Sequence, residues 1–223
     1  MKNFAIVIFS CDKNEEVYPI CLKLLDKYYP NHPRVYVLSE TKYFKGAFSI
    51  TCNKPLNEWS KRIRYSLSEI PYEKVLFMCD DVFLRAPVNT EKLKEASRII
   101  KDNVANINFE NSFSDEDKDC EYAGFKFRPV GSRFRVSLLC GLWNKEKLMQ
   151  VLSENCSPWD IEARQKDYGF DYYINTDKPI FEWLNDHIYG NGAIRNGKWQ
   201  KEVVEFLKSE QIEVDYNKKG FYE

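Results

Sequence analysis

The run EKVLFMCDDVFLR, residues 73–85, decides how this chain is read. Val75, Leu76, Phe77 and Met78 form a short continuous apolar stretch, the pattern of a strand buried on both faces. It ends in two adjacent carboxylates, Asp80 and Asp81, and turns apolar again at Val82, Phe83 and Leu84. Two like charges at the end of a buried strand repel each other and lose hydration unless a cation sits beside them. A hard divalent ion meets that need and can also bridge phosphate oxygens. Ligands of open α/β sheets collect at the carboxyl ends of strands, which is where this pair falls. The plainer reading is that the two aspartates cap a turn.

Outward from this run, strands and helices alternate. Residues 3–10 (NFAIVIFS) read as a buried strand. Val17, Ile20, Cys21, Leu24, Leu25 and Tyr28 then recur at helical spacing, with Pro19 in the first turn. Residues 34–40 and 48–52 read as two more strands. A helix follows with Trp59, Ile63, Leu67 and Ile70 on one face and Asn57 as its N-cap. Beyond residue 85 come a helix near 90–101 and a strand at 103–109. The pattern predicts an α/β fold, a mostly parallel central sheet with helices on both faces. The acidic stretch 112–122 shows no periodicity and reads as a solvated loop. Residues 125–143 read as a broken strand pair, 145–152 and the stretch from 157 as helices, and 179–199 as strand-like and turn-rich. A last amphipathic helix carries Val203, Val204, Phe206 and Leu207. No repeat or linker interrupts the 223 residues, so one domain is the simplest organisation, with a nucleotide-binding half at about 1–110 and an acceptor half at about 111–223.

Composition narrows the function classes. A net charge of −1 gives no electrostatic reason to expect nucleic acid. No apolar stretch is long enough to span a bilayer. The N-terminal MKNFAIVIFSC imitates a lipoprotein signal, but its apolar run is short and Phe9 is bulky beside the would-be cleavage site, so a first strand is the better reading. Seven scattered cysteines without a CxxC pair suit reduced cytosolic thiols packed as small hydrophobes.

Three further features accompany the acid pair. The helix after Asn57 carries Lys61, Arg62 and Arg64 in its first turns, where the dipole is already positive, and a docked anion would reverse that penalty. Ser60, Arg62 and the Asp pair could then bracket a diphosphate–metal unit. SPWDIE, residues 157–162, combines Ser157 as N-cap with Pro158 and Asp160 in a capping box, which accounts for Asp160. It leaves Glu162 beside the bulky Trp159, where partial desolvation would raise its pKa as a general base requires. Asp160 and Glu162 are the candidate catalytic acids. Around SLLCGLW lie Arg133, Arg135, Gly141 and Trp143. Gly141 permits close backbone approach, and Trp143 offers a flat face of the kind that stacks on sugar rings.

Together these elements resemble the bacterial glycosyltransferases of capsule and lipopolysaccharide synthesis, which have the GT-A (nucleotide-diphospho-sugar transferase) fold. The resemblance rests on WSKRIRYSLSEIPYEKVLFMCDDVFL, RVSLLCGLWNKEKLMQVL, SPWDIE and the late GKW, in that order along most of the chain. It implies inverting transfer of a sugar from a nucleotide-diphosphate sugar to a glycan or lipid-linked glycan, with Mn²⁺ or Mg²⁺ as cofactor. It makes Asp81 the metal carboxylate and Asp80 its partner at the metal and donor. Ser10, Asp12, Ser60 and Arg62 become donor contacts, Glu162 the base, and Arg135, Gly141, Trp143 and Trp159 acceptor contacts. It also implies a cytoplasmic enzyme, with peripheral contact at the inner face of the membrane where a lipid-linked acceptor would be met. The sequence departs from the family's Asp-x-Asp spelling, since position 79 is Cys. Two other classes stay open: a non-catalytic binder of nucleotide sugar or glycan with the same fold, and a metal-dependent phosphohydrolase, whose usual first Asp is replaced here by Cys79.

Overall fold

The computed structural model describes residues 3–53, 58–110, 114–164, 166–184 and 192–223. Asn57, expected to cap a helix, lies outside the described residues. In chain order the elements begin with β1 (Ala5–Phe9), α1 (Tyr18–Tyr28), β2 (Val35–Ser39), β3 (Phe48–Thr51), α2 (Trp59–Ser68), β4 (Lys74–Cys79), α3 (Thr90–Ile99) and β5 (Val104–Asn108). They continue with β6 (Lys118–Asp119), β7 (Phe125–Phe127), β8 (Cys140–Asn144), α4 (Lys145–Val151), α5 (Pro158–Arg164), β9 (Asp171–Asn175), β10 (Ile194–Arg195), β11 (Lys198–Trp199) and α6 (Glu202–Ser209).

The central sheet has the order β3-β2-β1-β4-β8-β5-β9-β7-β6. Its first four strands are parallel to one another. The inner strands are apolar throughout because each feeds two cores. Ile6, Ile8, Leu76 and Met78 point to one face, where they meet Leu24 of α1, Leu93 of α3 and Leu207 of α6. Ala5, Val7, Val75 and Phe77 point to the other, against Ile63 of α2, Leu148 of α4 and Ile161 of α5. A side chain such as Phe77, fully withdrawn from water, contributes about 1.5–3 kcal/mol. Side-chain caps start α3, α4 and α5: Asn89 accepts from Lys92 N, Asn144 from Lys147 N and Ser157 Oγ from Asp160 N. No helix of the described residues is long and apolar enough to cross a membrane.

The α/β fold with a large, mostly parallel central sheet is as expected; within it β8 runs antiparallel to both β4 and β5 and lies between them. Three expectations are corrected. The central run 73–85 leaves the sheet at Cys79, and Val82, Phe83 and Leu84 enter the core as irregular chain. Residues 171–175 (DYYIN), expected within the helical stretch from 157, form a strand that pairs in parallel with β5; with Asp and Asn at its ends it carries only a three-residue apolar signal. The acidic stretch is not simply a solvated loop: Asp117 is buried in a two-point ion pair with Arg128, at 2.9 and 3.0 Å, and 118–119 form β6.

Candidate active site at the carboxyl ends of β1, β4 and β5

Asp80 and Asp81 follow β4 directly and are buried, Asp80 completely. Asp80 is held from two sides by the segment after β1. Ser10 Oγ donates to its Oδ2 at 2.5 Å, and Asn14 Nδ2 donates to its Oδ1 at 3.1 Å. Asp81 is held by the C-terminal part of the chain. Ile194 N donates to its Oδ2 at 3.2 Å, and Ala193 N to its backbone oxygen at 2.8 Å. Gly192 lies so close that a Cβ there would come within 2.5 Å of the Asp81 carboxyl group. Only a glycine allows that approach.

The remaining oxygen, Asp81 Oδ1, is buried with no hydrogen-bond partner among the described residues. An unpaired carboxylate oxygen at such a place is costly unless a cation completes it. Cys79, Asp80 and Asp81 bring one ligand atom each to within 4.8 Å of one another. The two carboxylates suit a hard divalent ion such as Mn²⁺ or Mg²⁺. The Cys79 thiol suits it less, because burial and then the neighbouring Asp81 and Asp80 charges push its pKa far up. Burial likewise raises both aspartates, and the charge of Asp81 adds to the rise at Asp80. The donor set therefore fits a divalent ion, with Asp81 Oδ1 as its clearest ligand.

A second acidic cluster sits at the adjoining strand end. The segment 137–140 threads between β4 and β5: Leu139 O accepts from Cys79 N at 3.0 Å, and Cys140 O accepts from Phe109 N at 3.2 Å. From the same segment Leu138 N donates to Glu162 Oε1 at 2.8 Å. Ser137 Oγ hydrogen-bonds Glu110 and lies 3.5 Å from Glu162 Oε1. Burial, with the Glu110 charge adding, pushes Glu162 up to about 7 against the Leu138 and Ser137 hydrogen bonds. That value is the one a base working near neutrality requires.

Other expected site residues are placed differently. Ser60 is fully buried and donates to Glu154 O at 2.5 Å while accepting from Cys156 N at 3.0 Å, so it ties α2 to the loop before α5 and is not open to a donor. Arg62 is also buried: its Nη1 donates to Ser10 O at 2.9 Å and lies 3.1 Å from Glu40 Oε1. It braces the Ser10–Asp80 contact from behind and is not an open phosphate clamp. The Asp12 carboxylate accepts from Thr41 N, Thr41 Oγ1 and Lys42 N, which fixes the loop after β2. Asp160 completes the capping box with Ser157, at 2.7 and 3.0 Å, and is exposed.

Three of the four acceptor candidates are structural. Arg135 is buried, donating to Arg128 O and Phe170 O and stacking on Tyr172. A Cβ at Gly141 would meet Asn106 Nδ2 at 2.7 Å, so this glycine serves the β5–β8 contact. Trp143 has no exposed surface and packs edge-on against Tyr172. Trp159 alone is open, at 75% exposure, on the same short helix as Glu162. Glu110, Ser137, Asn14 and Gly192 were not singled out in the sequence. For Gly192 the turn-rich composition around it was a signal; for the others there was none beyond strand-end position.

No protein-family model matches the sequence, and no curated protein matches it. Solved structures do resemble it. TarS of S. aureus is 11% identical with a TM-score of 0.53, over 92% of this chain and 43% of that one. The 1–349 part of TarS is 15% identical with a TM-score of 0.51, and its complex with UDP is 13% identical with a TM-score of 0.52. Both alignments cover 92% of this chain and 70% of theirs. The chain thus spans less than half the length of the longer TarS structure. The likeness establishes the fold, a GT-A-like α/β architecture with a large central sheet.

Proposed function

We propose that this protein is a metal-dependent, inverting glycosyltransferase. Its substrates would be a nucleotide-diphosphate sugar and a glycan or lipid-linked glycan of the cell surface. The observation that carries the proposal is the unpaired, buried Asp81 Oδ1 at the end of β4, one backbone segment away from a carboxylate, Glu162, whose pKa is raised to about 7. The TarS structure with UDP supports uridine diphosphate sugars as the first donors to try.

Asp81, with Asp80 beside it, would hold Mn²⁺ or Mg²⁺, which supplies charge neutralisation for a departing diphosphate. Ser10 and Asn14 keep Asp80 in place, and Arg62 steadies Ser10. Glu162 has one oxygen pinned by Leu138 N, leaving the other to take the acceptor's hydroxyl proton. The acceptor oxygen then bonds to the anomeric carbon as the bond from that carbon to the diphosphate oxygen breaks, and the nucleoside diphosphate leaves. Trp159 offers the acceptor an exposed aromatic face beside this base. In this reading residues to about 110 serve the donor and the remainder the acceptor. The work would be done at the cytoplasmic face of the membrane, where lipid-linked acceptors are presented.

The test is a thermal-shift and calorimetric screen of nucleoside diphosphates and their sugars, each with and without Mn²⁺, followed by incubation with glycan acceptors. Metal-dependent donor binding and release of nucleoside diphosphate with a glycosylated product are expected. Binding without transfer to any acceptor would favour a binding protein of the same fold. Release of inorganic phosphate from simple phosphoesters would favour a hydrolase.

A further inference from the structure

We infer that Glu110 is a positioning residue for Glu162, acting through the hydroxyl of Ser137. The inference rests on Glu162 as the proposed base and extends that reading to residues with no assigned role. Glu110 follows β5, Ser137 precedes β8, and Glu162 lies on α5, so three separate elements meet at one buried point. Glu110 and Ser137 are 5% and 2% exposed, which keeps water from screening the contact. Glu110 is itself fixed, because its backbone N donates to Asn108 Oδ1 at 2.8 Å.

Ser137 has a single hydroxyl proton. It donates that proton to Glu110 Oε1, its nearer partner, and Leu139 N donates to the same hydroxyl oxygen at 3.4 Å. At 3.5 Å from Glu162 Oε1, Ser137 therefore gives the base little stabilisation, and among the described residues the Leu138 amide is the close donor to it. Glu110 also sets a like charge behind Glu162. Both effects disfavour the ionised form of Glu162 and hold its proton affinity near neutral pH. The other charged groups of α5 are turned elsewhere: Arg164 pairs with Glu154, and Asp160 bonds Ser157. Glu110 is the charged group that acts on Glu162 from a neighbouring element.

Two substitutions separate this role from simple support of the fold. Glu110→Gln removes the like charge and frees the Ser137 proton to turn toward Glu162. The acidic limb of the kcat/KM profile should then move to lower pH by about 1 unit. Ser137→Ala leaves both acids and removes the hydroxyl between them, so the limb should move to higher pH. Glu110→Asp should restore a profile close to that of the unaltered protein. The same ionisation can be followed without turnover, by ¹³C NMR titration of the Glu162 carboxyl in the full chain. Opposite shifts from the two substitutions support the inference. An unchanged Glu162 titration in Glu110→Gln would overturn it while leaving the base reading intact. If Glu110→Gln does not fold, a titration of Ser137→Ala that stays fixed or falls would overturn it as well. Full activity in Glu162→Gln would instead remove the base, a separate result from either.

Discussion

The protein carries two acid pairs at neighbouring strand ends, and they are built in opposite ways. Asp80 and Asp81 are adjacent in sequence, and three of their four carboxylate oxygens accept a hydrogen bond from a described residue. Glu110 and Glu162 come together through Ser137, which lies 27 positions from one and 25 from the other. Ser137 Oγ bonds Glu110, and the Leu138 amide donates to Glu162. The first pair is rigid and short of one positive partner, as a metal site should be. In the second, Glu162 is desolvated, as a proton acceptor should be. Burial raises the acids of both clusters alike, so proton affinity does not separate them; under the proposed reading it is the unmet Asp81 Oδ1 that marks the first pair as the ligand set.

The sharpest break between the pairs should come from the proton acceptor. Glu162→Gln is expected to lower transfer by about 10²–10⁴-fold while leaving Mn²⁺ and donor affinity within a few-fold. In the unaltered protein the proposed transfer should slow below a pH near 7, where Glu162 takes up its proton. Equal loss of donor binding would merge the two clusters into one site and refute the division.

Asp81→Asn comes next. It should abolish metal-dependent turnover, a loss of about 10²–10³-fold or more, without lowering the melting temperature, because it removes a buried charge whose Oδ1 has no partner among the described residues. The metal-free protein should also reveal these acids through pH. Asp80, Asp81 and Glu162 are all raised, so at these three groups the folded chain binds more protons than the unfolded one. Their contribution to stability is fully present below the unfolded carboxylate pKa, about 4, and is lost as pH rises toward 7. Mn²⁺ should flatten that decline, and Asp81→Asn should flatten part of it without metal. A metal-free melting temperature that rises steadily from pH 5 to 7.5 would contradict the burial of these groups.

Arg62→Met probes the brace behind the first pair. It leaves Glu40 buried without its cation and should cost about 3–5 kcal/mol of folding stability. Direct donor contact predicts the reverse, weakened donor binding in a protein of normal stability. The smallest effect is expected at the exposed Trp159. Trp159→Ala should change stability by less than about 0.5 kcal/mol and raise acceptor KM several-fold, with donor KM unaltered.

Much of the first half could be read from the chain. Apolar runs of strand length at 4–9, 35–38 and 75–78 appear as β1, β2 and β4, and the helical spacing of Trp59, Ile63 and Leu67 as α2. Reading failed where polar residues turn inward. Arg62, Arg135 and Ser60 looked like ligand contacts because charge and hydroxyl groups usually face water. Here each is buried and bonded to backbone or carboxylate partners inside the fold. Trp143 and Gly141 are strand residues whose packing alone explains them.

By itself the sequence determined the alternation of strands and helices, the Asp80–Asp81 pair at the end of a buried strand, and the helix that carries Glu162. These depend on periodicity and nearest neighbours, which a linear chain records. Only the tertiary structure decided that β8 lies antiparallel between β4 and β5, that Gly192 and Ile194 close over Asp81, and that Glu110 meets Glu162 through Ser137. Contacts between residues 24 to 113 positions apart are set by how the two core faces pack, and no local pattern encodes that.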